Sequence, residues 1–139
     1  MAVQLRETEV QNVRLDAIDT AIGVSGSLRV FTGAQPANCT LANSGTLLAH
    51  IVLPNPAMAV ASAGTMAKSG TWQDASADGG STSTPGHFRI YNSQVTMDGT
   101  TCMLQGSCAI GSGDINFDGT ITAGQSVTIN TFTLTEGND

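Results

Sequence analysis

The sequence predicts a mainly β fold, an antiparallel β-sandwich or jelly roll, with one amphipathic helix at its N terminus. Only 12% of the 139 residues are charged and sixteen are glycine, whereas about 25% of residues are charged in a typical soluble domain. From residue 24 onward, short apolar segments alternate with turn residues, which is typical of antiparallel sheets. The length suits one domain, so we assign residues 1–23 to a helical arm and residues 24–139 to the sandwich.

Residues 4–22 carry the strong helical pattern. Apolar side chains form two adjacent rows at helical spacing: Val10, Val13, Ala17 and Ala21 in one, and Leu15, Ile18 and Ile22 in the other. Polar side chains lie opposite: Glu9, Asn12, Asp16 and Asp19. Gly23 is a natural helix end. The apolar face either packs on the chain's own sheet or contacts a neighbouring subunit, and Val10, Val13 and Ala17 are the candidate interface residues.

The first strands precede a nearly neutral segment. We predict a strand over 27–32, a loop over 33–45, and a central strand over 46–53, because 46–53 is apolar on both faces apart from His50. Residues 57–71 have no firm assignment. Between residues 30 and 73 the one charged side chain is Lys68, so this segment forms either the core or a surface that meets other subunits. Trp72 is accordingly either a core residue or an interface anchor.

In the second half of the chain, short predicted strands alternate with polar loops and turns. Residues 73–86 are polar and predict a loop, and 87–92 predict a strand with Phe88 and Ile90 on one face. Asp98 and Gly99 predict a hairpin turn before a strand over 100–108, with Cys102 and Leu104 on the inner face.

The last predicted strand, 125–135, changes its apolar phase. Val127 and Ile129 occupy odd positions, whereas Phe132 and Leu134 occupy even ones. A regular strand cannot place all four side chains on one face. Either a bulge near residues 130–131 or a strand that serves two sheets would explain the pattern.

Asp114, Asn116 and Asp118 resemble the start of a calcium loop, with Gly119 in the bend position. However, Gln125 stands where the bidentate glutamate belongs, and strands flank the segment rather than helices. We therefore interpret it as a turn, and we predict no metal site and no cofactor.

Reactive groups are sparse, so we expect no enzymatic activity. His50 and His87 have no metal-ligand spacing, and neither a nucleophile motif nor a phosphate loop is present. Three cysteines cannot all pair within one chain. Cys102 and Cys108 would lie about 20 Å apart on a straight strand, beyond disulfide reach, so we expect buried free thiols.

The charge distribution excludes several partners. Five scattered basic residues and a net charge of −6 disfavour nucleic acid and anionic membranes. We also see no signal-like N-terminal pattern and no apolar run of bilayer length, so synthesis in a cytoplasm is expected.

Five segments carry a resemblance to a known family: QLRETEVQNVRLDAIDTAIG, LRVFTGAQPANC, KSGTWQDASADG, GHFRIYNS and AGQSVTINTFTLTEGN. Together they resemble the capsid cement (decoration) proteins of tailed bacteriophages such as Bordetella podophages. The resemblance implies a jelly-roll-like virion protein on the outer surface of an icosahedral head. Its implied partners are the major capsid protein and copies of itself, as a dimer or trimer. It would cement capsomers against internal pressure, and no active site is implied.

Two other functions remain open. The chain could be another virion component, such as a neck, tail or host-binding module. It could also be a calcium-dependent binding sandwich, for which the segment around Asp114 would be the relevant feature.

Overall fold

The computed structural model describes residues 3–79 and 83–136, and the protein is mainly β with a short N-terminal helix. A π-helical turn, Glu7–Gln11, leads into α1, Asn12–Ile22. The strands in the described residues are β1 (Ser27–Phe31), β2 (Leu47–Val52), β3 (Thr65–Ala67), β4 (Trp72–Asp74), β5 (His87–Tyr91), β6 (Cys102–Ile110), β7 (Ile115–Phe117), β8 (Val127–Ile129) and β9 (Thr133–Thr135).

The predicted helix is confirmed, but the α-helix begins at Asn12 instead of residue 4 and follows the π-helical turn Glu7–Gln11. It ends at Gly23, whose φ of +68° is readily accessible to glycine. Leu15 and Ile22 are buried and Ile18 packs partly against the core, whereas Val13 lies outside it. The helix contacts β3 and β6, so it packs on the chain's own strands.

A curled five-stranded sheet forms the centre, in the order β2-β1-β5-β6-β7. The pairs from β2 to β6 are antiparallel, and β7 runs parallel to β6. Two small antiparallel pairs, β3 with β9 and β4 with β8, complete the described strands.

The strand predicted to be central is an edge strand, so that prediction is wrong. Its pairing with β1 shifts between Val30 and Phe31, and this irregularity leaves Leu48 and Ala49 both fully buried. The apolar pattern on both faces therefore reflects a bulge rather than a central position. The open edge is occupied locally, because the Leu48 carbonyl accepts hydrogen bonds from the amides of Asp78 and Gly79.

A second irregularity corrects the inner face predicted for β6. Tyr91 pairs with Cys102 but Ile90 pairs with Leu104, so an extra residue lies between the two partners. Leu104 consequently faces the core with Ile90, whereas Cys102 shares the opposite face with Tyr91. The predicted turn at Asp98 also differs, since it lies within the longer connection 92–101 instead of a tight hairpin.

The phase change near the C terminus is explained by a chain that serves two sheets, which is the second of the two predicted alternatives. Strand β8 pairs with β4, and after a break the chain continues as β9 on β3. Val127, Ile129 and Phe132 are all buried as a result. The unassigned segment 57–71 supplies β3, and the loop predicted over 73–86 begins later, after β4. Residues 80–82 of that loop lie outside the described residues.

Aromatic rings join these parts in one core. Phe132 lies against Trp72, with ring centroids 5.4 Å apart, and meets Phe88 edge to face at 5.5 Å. Because Phe132 follows β8, Trp72 begins β4 and Phe88 belongs to β5, the rings connect the small sheets to the large one.

Candidate interaction site

The predicted interface residues on the helix differ in exposure. Val13 is 58% exposed and Ala17 is also exposed, while Val10 is half-buried. The row of Leu15, Ile18 and Ile22 faces the core instead. One apolar row therefore completes the core, and the Val13–Ala17 row lies at the surface of the isolated chain.

Polar helix side chains, which we expected opposite the packed face, bind the segment 58–64. Asp19 Oδ1 accepts the amide of Met58 at 2.9 Å, and Asp16 Oδ1 accepts that of Ala61 at 2.8 Å. Nearer the start, Glu7 and Asn12 accept the amides of Ala63 and Gly64, respectively. The three carboxylates and the Asn12 amide are structural tethers, which helical periodicity alone could not reveal.

Trp72 belongs to the core. Its side chain is 0% exposed and its Nε1 donates to the Ser69 carbonyl at 3.1 Å. Lys68 lies above the ring, with its ammonium 5.7 Å from the ring centroid. Of the two alternatives for Trp72, the structure supports the core residue, because an interface anchor needs exposed surface in the free chain.

The neutral segment contributes to the core and to the surface. Leu48, Ile51, Met58 and Met66 are buried. Exposed apolar side chains also occur in the segment: Leu41, Val52 at 54% exposure and Val60 at 84%. A surface for contact with other subunits therefore stays a prediction for these outward residues alone.

The face of the central sheet that points away from the core carries an unusual polar row. Strand pairing places His50 beside Arg29, Arg29 beside Arg89, and Arg89 beside Gln105. We call these four residues the polar row. The neighbouring row contains Phe31 and His87, whose rings stack with centroids 5.1 Å apart.

The loop 33–45 covers part of this face. Arg89 Nη1 donates to the Leu41 carbonyl at 3.0 Å and to Asn43 Oδ1 at 2.7 Å, and Nη2 donates to the Cys39 carbonyl at 2.6 Å. Tyr91 also donates to Asn43 Oδ1, at 2.7 Å. Arg89 is 0% exposed. Strand β5 is therefore buried on both faces, although residues 87–92 alternate between apolar and polar side chains.

Buried polar atoms without a hydrogen-bond partner concentrate on this face. Among the described residues they are Arg29 Nε, His50 Nε2, His87 Nε2, Arg89 Nε and Gln105 Oε1. Four of the five belong to the polar row, and the fifth is its neighbour. Folded proteins rarely leave such groups unsatisfied, so this face is the most unusual polar feature of the described chain.

Burial also changes the protonation of this face. It lowers the pKa of His50 and of His87, and the positive charge of Arg29 further lowers that of His50. Burial raises the pKa of Tyr91 to about 12. The two arginines consequently carry the positive charge of this face near neutral pH.

The calcium-loop residues do not surround one point. Asp114 Oδ2 accepts the amide and the hydroxyl of Ser107, both at 2.8 Å. Strand β7 extends between Asp114 and Asp118, which separates these residues by ~13 Å, whereas calcium ligands lie about 2.4 Å from the ion. Asn116 is exposed on this strand. Across residues 3–79 and 83–136, no cluster of three or more His, Cys, Asp or Glu could hold a metal ion.

The cysteines are free thiols, as predicted. Cys102 and Cys108 are buried, and burial raises their pKa values to about 11 and about 12. Cys39 is half-buried. The two buried thiols are therefore protonated at neutral pH and are poor nucleophiles.

No protein-family model, curated protein or solved structure matches this chain. The resemblance to phage cement proteins accordingly stays a prediction. No helix in the described part of the chain is long and apolar enough to cross a membrane.

Proposed function

We propose that this chain is a structural virion protein that binds the outer surface of an icosahedral phage head. It contacts the major capsid protein and further copies of itself, and it cements neighbouring capsomers against internal pressure. We also propose that its strands form a jelly-roll-like sandwich.

The exposed apolar row on α1 is the observation that carries this proposal. Leu15 and Ile22 already fill the core beneath the helix, yet Val13 and Ala17 add a second apolar row outside it. Single exposed valines are common, but a row on a rigid helix presents a continuous strip. Burial of a valine side chain contributes roughly 1.5 kcal/mol or more, and many copies on a shell would add such contacts by avidity.

The charge pattern agrees with an external position. The net charge is −6, and Arg89 is covered by the loop 33–45 and so unavailable for phosphate binding. A protein on the genome side of a shell needs clustered cations. An acidic module with few charges is better suited to contact protein surfaces.

Purified particles provide the test. We expect a copy number comparable to that of the major coat protein, and a lower temperature of DNA release when the chain is absent. A few copies per particle would indicate a neck or tail component instead, and equal release temperatures would contradict the cement function.

A variant pair tests the helix row directly. Val13→Gln removes apolar surface from the strip, and we expect at least a tenfold loss of occupancy on particles. Val95→Gln is the matched control, because Val95 is 92% exposed but belongs to the 92–101 connection and not to the helix row. Equal occupancy of the two variants would count against the helix as the contact surface.

A further inference from the structure

Two arginines lie side by side on the sheet without an acidic partner. Arg29 on β1 pairs directly with Arg89 on β5. Among the described residues, ion pairs join Arg6 to Glu9 and Arg14 to Glu136, and neither involves this pair. Like charges directly opposite each other destabilise a sheet, and neither guanidinium has a carboxylate in ion-pair contact among the described residues.

Arg89 and Arg29 differ in what they can bind. Arg89 is fully buried and its terminal nitrogens are occupied by acceptors of the loop 33–45. Arg29 is half-buried, and its side chain makes no hydrogen bond or ion pair to any residue in the described part of the chain. Arg29 is therefore the arginine that a ligand can reach.

His50 adds a second unpaired group on the far side of Arg29. Its Nε2 is buried and has no described partner, while its backbone amide is held by Asp74 Oδ2 at 2.9 Å. The polar row thus brings together three unpaired nitrogens, those of His50, Arg29 and Arg89. Leaving such groups buried without partners costs more than a hydrogen bond contributes, so an acceptor at this place would be strongly favoured.

We infer that Arg29, with His50 and Arg89 beside it, forms a binding site for an oxyanion, and that a carboxylate of another polypeptide fills it. Guanidinium groups bind carboxylates through two parallel hydrogen bonds, which suits the open side of Arg29. The identity of that polypeptide as a virion neighbour rests on the proposed function.

Nearby charges favour a carboxylate over a phosphate. Asp74 and Asp78 both interact electrostatically with His50. The two carboxylates balance the two arginines, so the second charge of a phosphate dianion would find no further counter-charge here, while its desolvation costs more than that of a singly charged carboxylate. We therefore expect the site to favour an anion with one negative charge.

Titration of the isolated chain tests the site itself. Arginine Nε–Hε signals are followed by NMR while acetate, or in a second series inorganic phosphate, replaces chloride at constant ionic strength. We expect a saturating shift of the Arg29 signal, tighter binding of acetate than of phosphate, and at least a tenfold weaker affinity in Arg29→Gln. Arg14→Gln is the matched control, because Glu136 already pairs with Arg14, and it should bind acetate as the wild type does.

Several outcomes would overturn the inference. They are a shift that never saturates, equal affinities in the wild type and Arg29→Gln, or tighter binding of phosphate. If Arg29→Gln fails to fold, Arg29→Lys serves in its place, since it keeps the charge but loses the planar fork. Arg29→Lys should bind acetate with an intermediate affinity. If its affinity equals that of the wild type, bidentate binding by the guanidinium group is refuted.

Particle binding separates this inference from the proposed function. Reduced occupancy of Arg29→Gln, at unchanged stability, supports a carboxylate from a virion neighbour. Unchanged occupancy of Arg29→Gln with loss of acetate binding would show a site for free anions and refute the polypeptide source. If wild-type chain binds acetate but no particle, the proposed function fails while the oxyanion site stands.

Discussion

Asp16 provides the sharpest test of how the N-terminal helix is attached. Asp16 Oδ1 accepts the amide of Ala61 at 2.8 Å, and Ala61 is only 7% exposed. Asp16→Ala therefore leaves a nearly buried amide without a partner. A hydrogen bond to a charged group contributes about 1.5–3 kcal/mol, and an unsatisfied buried donor costs a comparable amount when its partner is removed.

An opposing effect is smaller. Asp16 lies in the middle of α1, Asn12–Ile22, outside the first and last turns, so the helix dipole has little effect on it. Alanine has a higher helix propensity than aspartate, by roughly 0.5 kcal/mol. Subtracting this gain, we expect Asp16→Ala to lower the free energy of unfolding by about 1–2 kcal/mol.

Urea denaturation followed by the fluorescence of the buried Trp72 measures this change. Glu9→Ala is the control, because Glu9 is exposed and pairs with the exposed Arg6, a surface contact worth less than about 1 kcal/mol. If Asp16 were the solvent-facing acid that its helical position suggests, both variants would behave alike or Asp16→Ala would be more stable. That result would refute the tether.

Other predictions concern packing, protonation and thiol access. A Cβ at Gly106 would lie 2.6 Å from Phe88 Cε1, so we expect Gly106→Ala to cost about 1–3 kcal/mol in a urea titration, whereas Gly119→Ala, with open space around it, should change stability by less than about 0.5 kcal/mol. Burial lowers the pKa of His87 below 6.5, so the unfolded chain binds more protons than the folded chain just below that pH. The free energy of unfolding should therefore fall as the pH drops through 6.5. An unchanged dependence of this free energy on pH in His87→Phe would contradict the prediction. A thiol reagent at pH 8 should modify Cys39 first and the two buried thiols only on unfolding, so three equally fast thiols would disprove the predicted difference in access.

Local patterns were sufficient for the helix and for the longer strands, although they missed the short strands β3, β4 and β7. Helical spacing over residues 4–22 predicted α1, and alternation over 87–92 predicted β5, because neighbouring residues along a chain determine which face each side chain shares. The phase change between Ile129 and Phe132 predicted either a bulge or a strand that serves two sheets, because side chains alternate strictly along a regular strand, and the structure shows the second.

Strand order and the sites depended on residues far apart in the sequence. Arg29, His50 and Arg89 form one row only because β1 lies between β2 and β5, a register that no local window contains. An extra residue at a bulge in β6 places Cys102 on the face opposite to the predicted one. Backbone amides of the segment 58–64 donate hydrogen bonds to Asp16 and Asp19, which the helical pattern alone would place in solvent. Sequence thus determined the local periodicity, whereas the tertiary structure decided which polar groups meet, because those contacts join segments that only folding brings together.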